Sequence, residues 1–265
     1  MTERAKRENE LSDLSELLDA VHCMDNCDGM MLLPRESIDL VVTSPPYDDL
    51  RTYGGHSWDF YGVAWNLARV LKHGGVIVWV VGDVTKDGSE TGSSIEQALH
   101  FKRLGLNLHD TMVYQQTGTG AKGSNLAYWQ EWEYMFVFSK GKPKTVNRLT
   151  YERKYTHVVS GERGGVGCKG DIRKRPVRDY SIRSNVWKIT GDKLNEHPAA
   201  FPYKMAADHI ESWSNPDDII LDPFMGSGTT AKAAHELGRH YIGFEINPDY
   251  VEICQRRTAQ ATIGI

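Results

Sequence analysis

Long hydrophobic runs are missing from these 265 residues: no apolar stretch approaches the ~20 residues that cross a bilayer. The first twenty residues, MTERAKRENELSDLSELLDA, are charged throughout and lack the apolar core of a secretory signal. Cysteine is scarce as well. Cys23, Cys27, Cys168 and Cys254 fit neither the spacing of a disulfide framework nor that of a paired CxxC zinc site. Internal repeats and low-complexity tracts are absent too. These gaps argue against a membrane protein, a disulfide-built secreted scaffold and a structural zinc module, and the expectation is an intracellular protein with reduced thiols.

What is present is ordinary in amount and uneven in distribution. Hydrophobic residues make up 40% and charged residues 25%, enough for one large core and an inserted subdomain. The net charge of -4 hides a split. Between residues 141 and 193 fourteen Lys and Arg face five acids, which leaves a surplus of nine positive charges there and minus thirteen for the remainder. One region of an acidic chain is reserved for something anionic.

Short β-rich runs alternate with helical patterns. LDAVHCM, IDLVVT, GVIVWVVG, LHDTMVYQ, EYMFVFS, DIILDP and RHYIGFEI read as strands, several of them apolar on both faces as in a covered sheet. FYGVAWNLARVLKHGG, SSIEQALHFKRLG, FPYKMAADHIESWS and TTAKAAHELG show apolar spacings of three and four and often end at glycine. The alternation predicts an α/β fold with a doubly wound, mostly parallel sheet. Residues 141–195 break the pattern with scattered Gly and Arg and read as an insertion. The resulting division is a charged leader (1–20), a first half (21–140), the basic insertion (141–195) and a second half (196–265).

Two motifs carry chemistry. The strand IDLVV runs into Thr43-Ser44-Pro45-Pro46-Tyr47, where two prolines fix φ and donate no hydrogen bond. The chain must therefore leave the sheet in one stiff extended shape, with the carbonyls of Ser44 and Pro45 outside the ladder and Tyr47 on a rigid mount. Ligands bind beyond the carboxyl ends of such strands, and acceptors beside an aromatic face suit a planar group bearing an amine. An ordinary strand stop with a packed tyrosine is the competing reading. Further on, Asp217 to Tyr250 holds a strand, the glycine turn Gly226-Ser227-Gly228, a helix, and a strand ending at Glu245, nineteen residues after Gly226. Glycines admit a ligand close to the backbone, and an acid at the next strand end can accept both ribose hydroxyls. A nucleoside-containing cofactor follows. The lysine of a phosphate-cradling loop is missing, since Thr229-Thr230 follow Gly228, while NAD stays open because Ala231 can serve as the third small residue of a GxGxxA fingerprint.

VVTSPPY together with LDPFMGSGTT resembles the amino-group DNA methyltransferases of bacteria and phages, and the order, with catalytic motif first, basic insertion next and cofactor motif last, is that of their β group. The resemblance runs from about Val21 to Arg257. It implies a seven-stranded Rossmann-like methyltransferase sheet, S-adenosylmethionine as cofactor, double-stranded DNA as partner, and a cytoplasmic protein of bacterial or phage origin with no membrane association; a homodimer and a companion restriction enzyme are compatible with it. Ser44, Pro45, Pro46 and Tyr47 become the methyl-transfer motif. Thr43, Asp222, Phe224, Gly226, Ser227, Gly228 and Thr229 form the cofactor turn with its flanking residues, and Glu245 holds the ribose. Asp25 in HCMDNCDGM matches the acid beside the adenine, although Met24 stands where the family usually has glycine. EHPAAFPYKMAADHI matches the segment that closes over the methionine end, through His197, Pro198, Phe201 and Pro202.

The implied substrate is an exocyclic base amine, reached by flipping the base out of the duplex at a few kcal/mol; no metal and no cysteine nucleophile is required. Trp129, Trp132 and Tyr134 are candidates for the base pocket wall, with core packing as the alternative. The densest basic stretch, KGDIRKRPVRDYSIRSNVW, offers Lys169, Arg173, Lys174, Arg175, Arg178 and Arg183 for DNA contact. Serine at position 44 favours cytosine N4, since N6-adenine members more often carry Asp or Asn there. An NAD-dependent oxidoreductase, a non-catalytic DNA-binding module and an RNA substrate are the rival readings. The charge split predicts that DNA affinity falls steeply with salt and that replacing Arg173, Lys174, Arg175 and Arg178 with alanine weakens it; a mobility-shift titration in which affinity ignores both would remove DNA from the insertion's role.

Overall fold

The structure, a computed structural model, describes residues 14–46, 58–117, 128, 130–152, 179–191 and 202–263. Its strands are β1 (Ala20–Cys23), β2 (Ile38–Thr43), β3 (Leu71–Val81), β4 (Thr85–Lys86), β5 (Ser89–Glu90), β6 (Asn107–Thr117), β7 (Trp132–Ser139), β8 (Thr150–Glu152), β9 (Tyr180–Ile182), β10 (Val186–Thr190), β11 (Ile219–Asp222) and β12 (His240–Glu245). Its helices are α1 (Asn26–Leu32), α2 (Phe60–Val70), α3 (Ser93–Arg103), α4 (Tyr203–Trp213), α5 (Thr229–Glu236) and α6 (Pro248–Ile263).

Eight strands form one sheet in the order β1-β12-β11-β2-β3-β7-β6-β10. Neighbours from β1 through β3 all pair in parallel, β7 runs antiparallel to both β3 and β6, and β10 is parallel to β6. The expected seven strands become eight because β10 joins the sheet. Its residues alternate exposed and buried, with Trp187 and Ile189 turned inward, the two-residue period of an edge strand covered on one face. β2 shows the opposite pattern. All six of its residues are buried, because α1, α2 and α3 pack together on one side of the sheet and α4, α5 and α6 on the other. Its one charged residue, Asp39, is matched by Lys72 Nζ at 2.6 Å and by the Ile219 N–H at 3.1 Å, which satisfies a carboxylate that would otherwise be costly to bury.

The helices form where apolar residues recur on one face. In α2, Val63, Ala64, Leu67 and Val70 are buried at spacings of one, three and three, and the helix stops at Val70, five residues before the end of its helical sequence pattern, because Leu71 is already extended and pairs with Ile38. Two helices lie outside the sequence expectation. α1 is only seven residues long and is held by its N-cap, Asp25; α6 starts at Pro248, after Asn247 accepts the Asp249 N–H at 2.9 Å, the asparagine-then-proline start that satisfies orphan donors.

Residues Arg148–Ser184 separate as a compact unit of their own, narrower than 141–195 at both ends. Its described part is the antiparallel pair β8 and β9, with Thr150 opposite Ile182 and Glu152 opposite Tyr180, closed by the Arg183 N–H on the Leu149 carbonyl at 2.9 Å. Among the described residues no helix is long and apolar enough to cross a membrane.

Leu40 is fully buried in β2 between strands β11 and β3. Leu40→Ala is expected to cost about 2–5 kcal/mol, read as a lower urea midpoint with an unchanged denaturant slope.

Candidate active site

The sheet places both motifs at one spot. From β2 the chain winds through α2 to β3 on one side, and from β11 through α5 to β12 on the other, so the order of connection reverses between β2 and β11. In doubly wound sheets the crevice beyond the carboxyl ends at such a reversal is where ligands bind. Thr43, Ser44, Pro45 and Pro46 leave β2 there, and Asp222 to Gly228 leave β11 beside them.

A buried carboxylate joins the two. Thr43 and Asp222 are 0% and 1% exposed, and Thr43 Oγ1 donates to Asp222 Oδ1 at 2.6 Å. The same Oδ1 accepts the Phe224 N–H at 3.0 Å, and Oδ2 accepts Thr230 Oγ1 at 2.7 Å. One side chain thus ties the residue before Ser44, the start of the glycine turn and the first turn of α5. Burial pushes the Asp222 carboxyl up to about 6, against the pull of its hydrogen bonds from Thr43, Thr230 and Phe224.

The glycine turn is shaped by contacts that only glycine permits. Gly226 and Gly228 have φ of 51° and 83°, in the left-handed region, and a Cβ on Gly228 would lie 2.3 Å from Cys254 Sγ. Arg257 braces the turn from α6, with Nη1 donating to the Ser227 carbonyl and to Ser227 Oγ, both at 2.9 Å. Glu245 reaches across from β12: its Oε2 accepts the Gly226 N–H at 2.8 Å and its Oε1 the Asn247 N–H at 2.9 Å. Burial raises its carboxyl above the ordinary range, opposed by those backbone N–H groups. The Ile246 N–H also favours the ionised form, and a carboxylate held beside the glycine turn fits a nucleoside that offers a vicinal diol there.

Asp25 stands two residues beyond Cys23, which pairs with Glu245 in the parallel β1–β12 ladder. Its Oδ1 caps α1 by accepting the N–H groups of Cys27 and Asp28 at 2.8 and 3.2 Å, and Oδ2 takes no part in that cap. The structure therefore gathers Asp25, Thr43, Ser44, Pro45, Pro46, Asp222, Phe224, Gly226, Ser227, Gly228, Thr229 and Glu245 along adjacent strand ends. Pro202 is buried at the N-cap position of α4. Trp132 and Tyr134 lie on β7, with Tyr134 opposite Val81, so the exposed start of that antiparallel strand reaches the same edge; Trp132 meets Tyr134 edge-on at 4.7 Å. Arg183 directly follows β9 in the separate unit Arg148–Ser184. Tyr47, Trp129, Cys168, Lys169, Arg173, Lys174, Arg175, Arg178, His197, Pro198 and Phe201 lie outside the described residues.

Three contributors carry weak sequence signals. Trp58 packs edge-on against Phe224 at 5.1 Å, and nothing in its local sequence marks it. Arg257 belongs to α6, outside both motifs. Gly243 sits inside β12, and a Cβ there would come within 2.4 Å of Met225 Cε; glycine within a strand is itself a sign of close approach. Among the described residues no three His, Cys, Asp or Glu side chains gather as a metal site, and burial pushes the Cys254 thiol up to about 12, which keeps it protonated and unreactive.

Known proteins align with this architecture. A family model described as DNA methylase matches residues 38–256. The orphan methyltransferase M.BamHII of Bacillus amyloliquefaciens is 51% identical over 236 residues, covering 83% of this chain and 88% of that protein. TTHA0409 of Thermus thermophilus, solved in complex with S-adenosyl-L-methionine, superposes with a TM-score of 0.63 at 25% identity, covering 93% of this chain and 97% of its own. The cytosine-N4-specific PvuII DNA methyltransferase shares the fold, with a TM-score of 0.67 at 20% identity and coverage of 92% and 89%.

The raised carboxyl of Asp222 fixes a pH dependence. A group whose pKa rises on folding, here from 3.8 to about 6, favours the folded state most when it is protonated, and that contribution is lost as pH climbs through the folded value. Asp222→Asn cannot titrate. The stability of wild type minus that of Asp222→Asn is therefore expected to decrease between about pH 4 and pH 6, measured by urea unfolding of both proteins across that range.

Proposed function

The chain belongs to the DNA methylase family of N6 and N4 amino methyltransferases, and from that membership we propose that it methylates cytosine N4 in duplex DNA with S-adenosylmethionine as donor. The observation that carries the reading is the Thr43–Asp222 hydrogen bond, which locks the Ser-Pro-Pro motif beside the glycine turn. S-adenosylmethionine supplies an activated methyl group, so the protein's task is to place the acceptor. Glu245 takes the ribose hydroxyls, Asp25 the adenine side, and Gly226 and Gly228 let the backbone approach. An NAD-dependent oxidoreductase would share these parts and would leave the Ser-Pro-Pro motif without a use.

The acceptor nitrogen is a poor nucleophile because its lone pair is delocalised into the ring. Hydrogen bonds from the amine to the Ser44 hydroxyl and the Pro45 carbonyl draw that pair back onto nitrogen and aim it. Since the donor is already activated, positioning of this kind accounts for a large part of the barrier reduction. Tyr47 stacks on the flipped base and returns about 1–3 kcal/mol of the flipping cost. The basic insertion neutralises phosphates and holds the target-recognition surface. Serine at position 44 is what selects cytosine over adenine in this reading.

The test is incubation with methyl-labelled S-adenosylmethionine and mixed-sequence duplex DNA, followed by digestion and mass identification of the methylated nucleoside. N4-methylcytosine is expected; N6-methyladenine would keep amino transfer and overturn the target base, and no methylated nucleoside despite cofactor binding would overturn the function. In the same assay Tyr47→Ala is expected to slow transfer about 5- to 150-fold and to leave cofactor affinity intact.

A further inference from the structure

Beside the transfer motif stands a small ribbon that the function above leaves without a role. β3 is the parallel neighbour of β2, with Trp79 opposite Thr43, and the chain continues from its end at Val81 through Gly82 and Asp83 into the antiparallel pair β4 and β5. The ribbon therefore begins one strand away from Ser44 and projects from the edge where the target base must arrive. Strands in a sheet lie about 4.8 Å apart, so the end of β3 neighbours the end of β2, and the ribbon follows it after Gly82, Asp83 and Val84.

The ribbon is stiffly mounted. A two-stranded ribbon by itself is marginal in water, and this one is anchored by a single carboxylate. Asp83 Oδ1 accepts the Ser94 N–H at 2.9 Å, Ser93 Oγ at 3.2 Å and Thr91 Oγ1 at 3.4 Å, while Oδ2 accepts Ser94 Oγ. The Thr91 N–H closes the base on the Val84 carbonyl at 2.9 Å. At the tip Asp87 and Gly88 have φ of 51° and 81°, the paired left-handed residues of the tight turn that matches strand twist. Asp83 thereby holds both the ribbon and the start of α3 on one group.

Its surface has the chemistry of a reader rather than an anchor. Every residue from Thr85 to Glu90 is exposed, and together they offer donors and acceptors of both signs: Lys86 against Asp87 and Glu90, with Thr85 and Ser89 as hydroxyls. The summed charge is minus one, so the ribbon contributes nothing to phosphate neutralisation, in contrast to the basic insertion. Mixed polarity suits base edges, where Lys donates to guanine O6 and N7 and carboxylates accept from cytosine N4, and the major groove of about 12 Å admits a two-stranded ribbon.

We propose that the β4–β5 ribbon enters the major groove of duplex DNA and reads base identity beside the flipped base through Lys86 and Ser89, which stand opposite each other and share one face of the ribbon. The proposal rests on the DNA methyltransferase reading above. The experiment compares wild type, Lys86→Ala and Ser89→Ala on a pool of duplexes randomised around the target base, with methylated molecules identified by sequencing, alongside the salt dependence of DNA binding and the affinity for S-adenosylhomocysteine. The expected result is that each variant loses preference at one or two base positions by about 10-fold or more, with preferences elsewhere, salt slope and S-adenosylhomocysteine affinity unchanged. Unaltered preference at every position would overturn the assignment. A uniform loss across all sequences with a shallower salt slope would also overturn it, since that is the signature of a phosphate contact. A wild-type protein that methylates no duplex would remove the proposed function itself, and with it this reading.

Discussion

The site depends on the hydrogen bond between Thr43 and Asp222. It links neighbouring parallel strands at a depth where neither side chain meets water, and it acts at the residue just before Ser44. Asp222 distributes that constraint further, to the Phe224 backbone and to Thr230 at the start of α5. The Thr230 hydroxyl, whose single proton goes to Asp222, also lies 3.3 Å from the Val42 carbonyl, against the end of β2. A buried carboxylate is costly unless its lone pairs are filled; here three donors occupy three of its four sites, and burial still raises the carboxyl to about 6.

Around this contact the remaining parts divide their work between shape and charge. Gly226, Gly228 and Gly243 remove the side chains that would hold the turn away from β12 and α6. Arg257 and Trp58 then press on the turn from opposite motifs' surroundings, one through hydrogen bonds and one through its ring edge. Glu245 closes the arrangement from the neighbouring strand. The positive charge is placed elsewhere in the sequence, between residues 141 and 193.

Much of this was legible from residue pattern alone. β2, β3, β11 and β12 are covered on both faces, and such strands write themselves as continuous apolar runs; the glycine turn and Glu245 followed from their spacing. What escaped did so for physical reasons. β10 is short and half-buried, and it follows a loop-rich basic segment, so its two-residue alternation was submerged in the charge count. α1 has fewer residues than two full turns and is defined by Asp25 rather than by any apolar period. Trp58 and Arg257 act through partners distant in sequence, and a contact such as that of Arg257 with Ser227, thirty positions away, leaves no local trace. The helical pattern of α2 overran its true end because Leu71 is apolar in either conformation, and only its pairing with Ile38 settles the matter.

The Thr43–Asp222 contact closes a loop of 179 positions, and that length has a consequence for how such a protein can change. The entropy of closing a flexible loop grows only with the logarithm of its length, about 0.6 kcal/mol per doubling. Residues added to or removed from the segment around Arg148–Ser184 therefore barely alter the free energy of bringing the two motifs together. A lineage can lengthen, shorten or replace that segment while the contact between the two motifs stays in place.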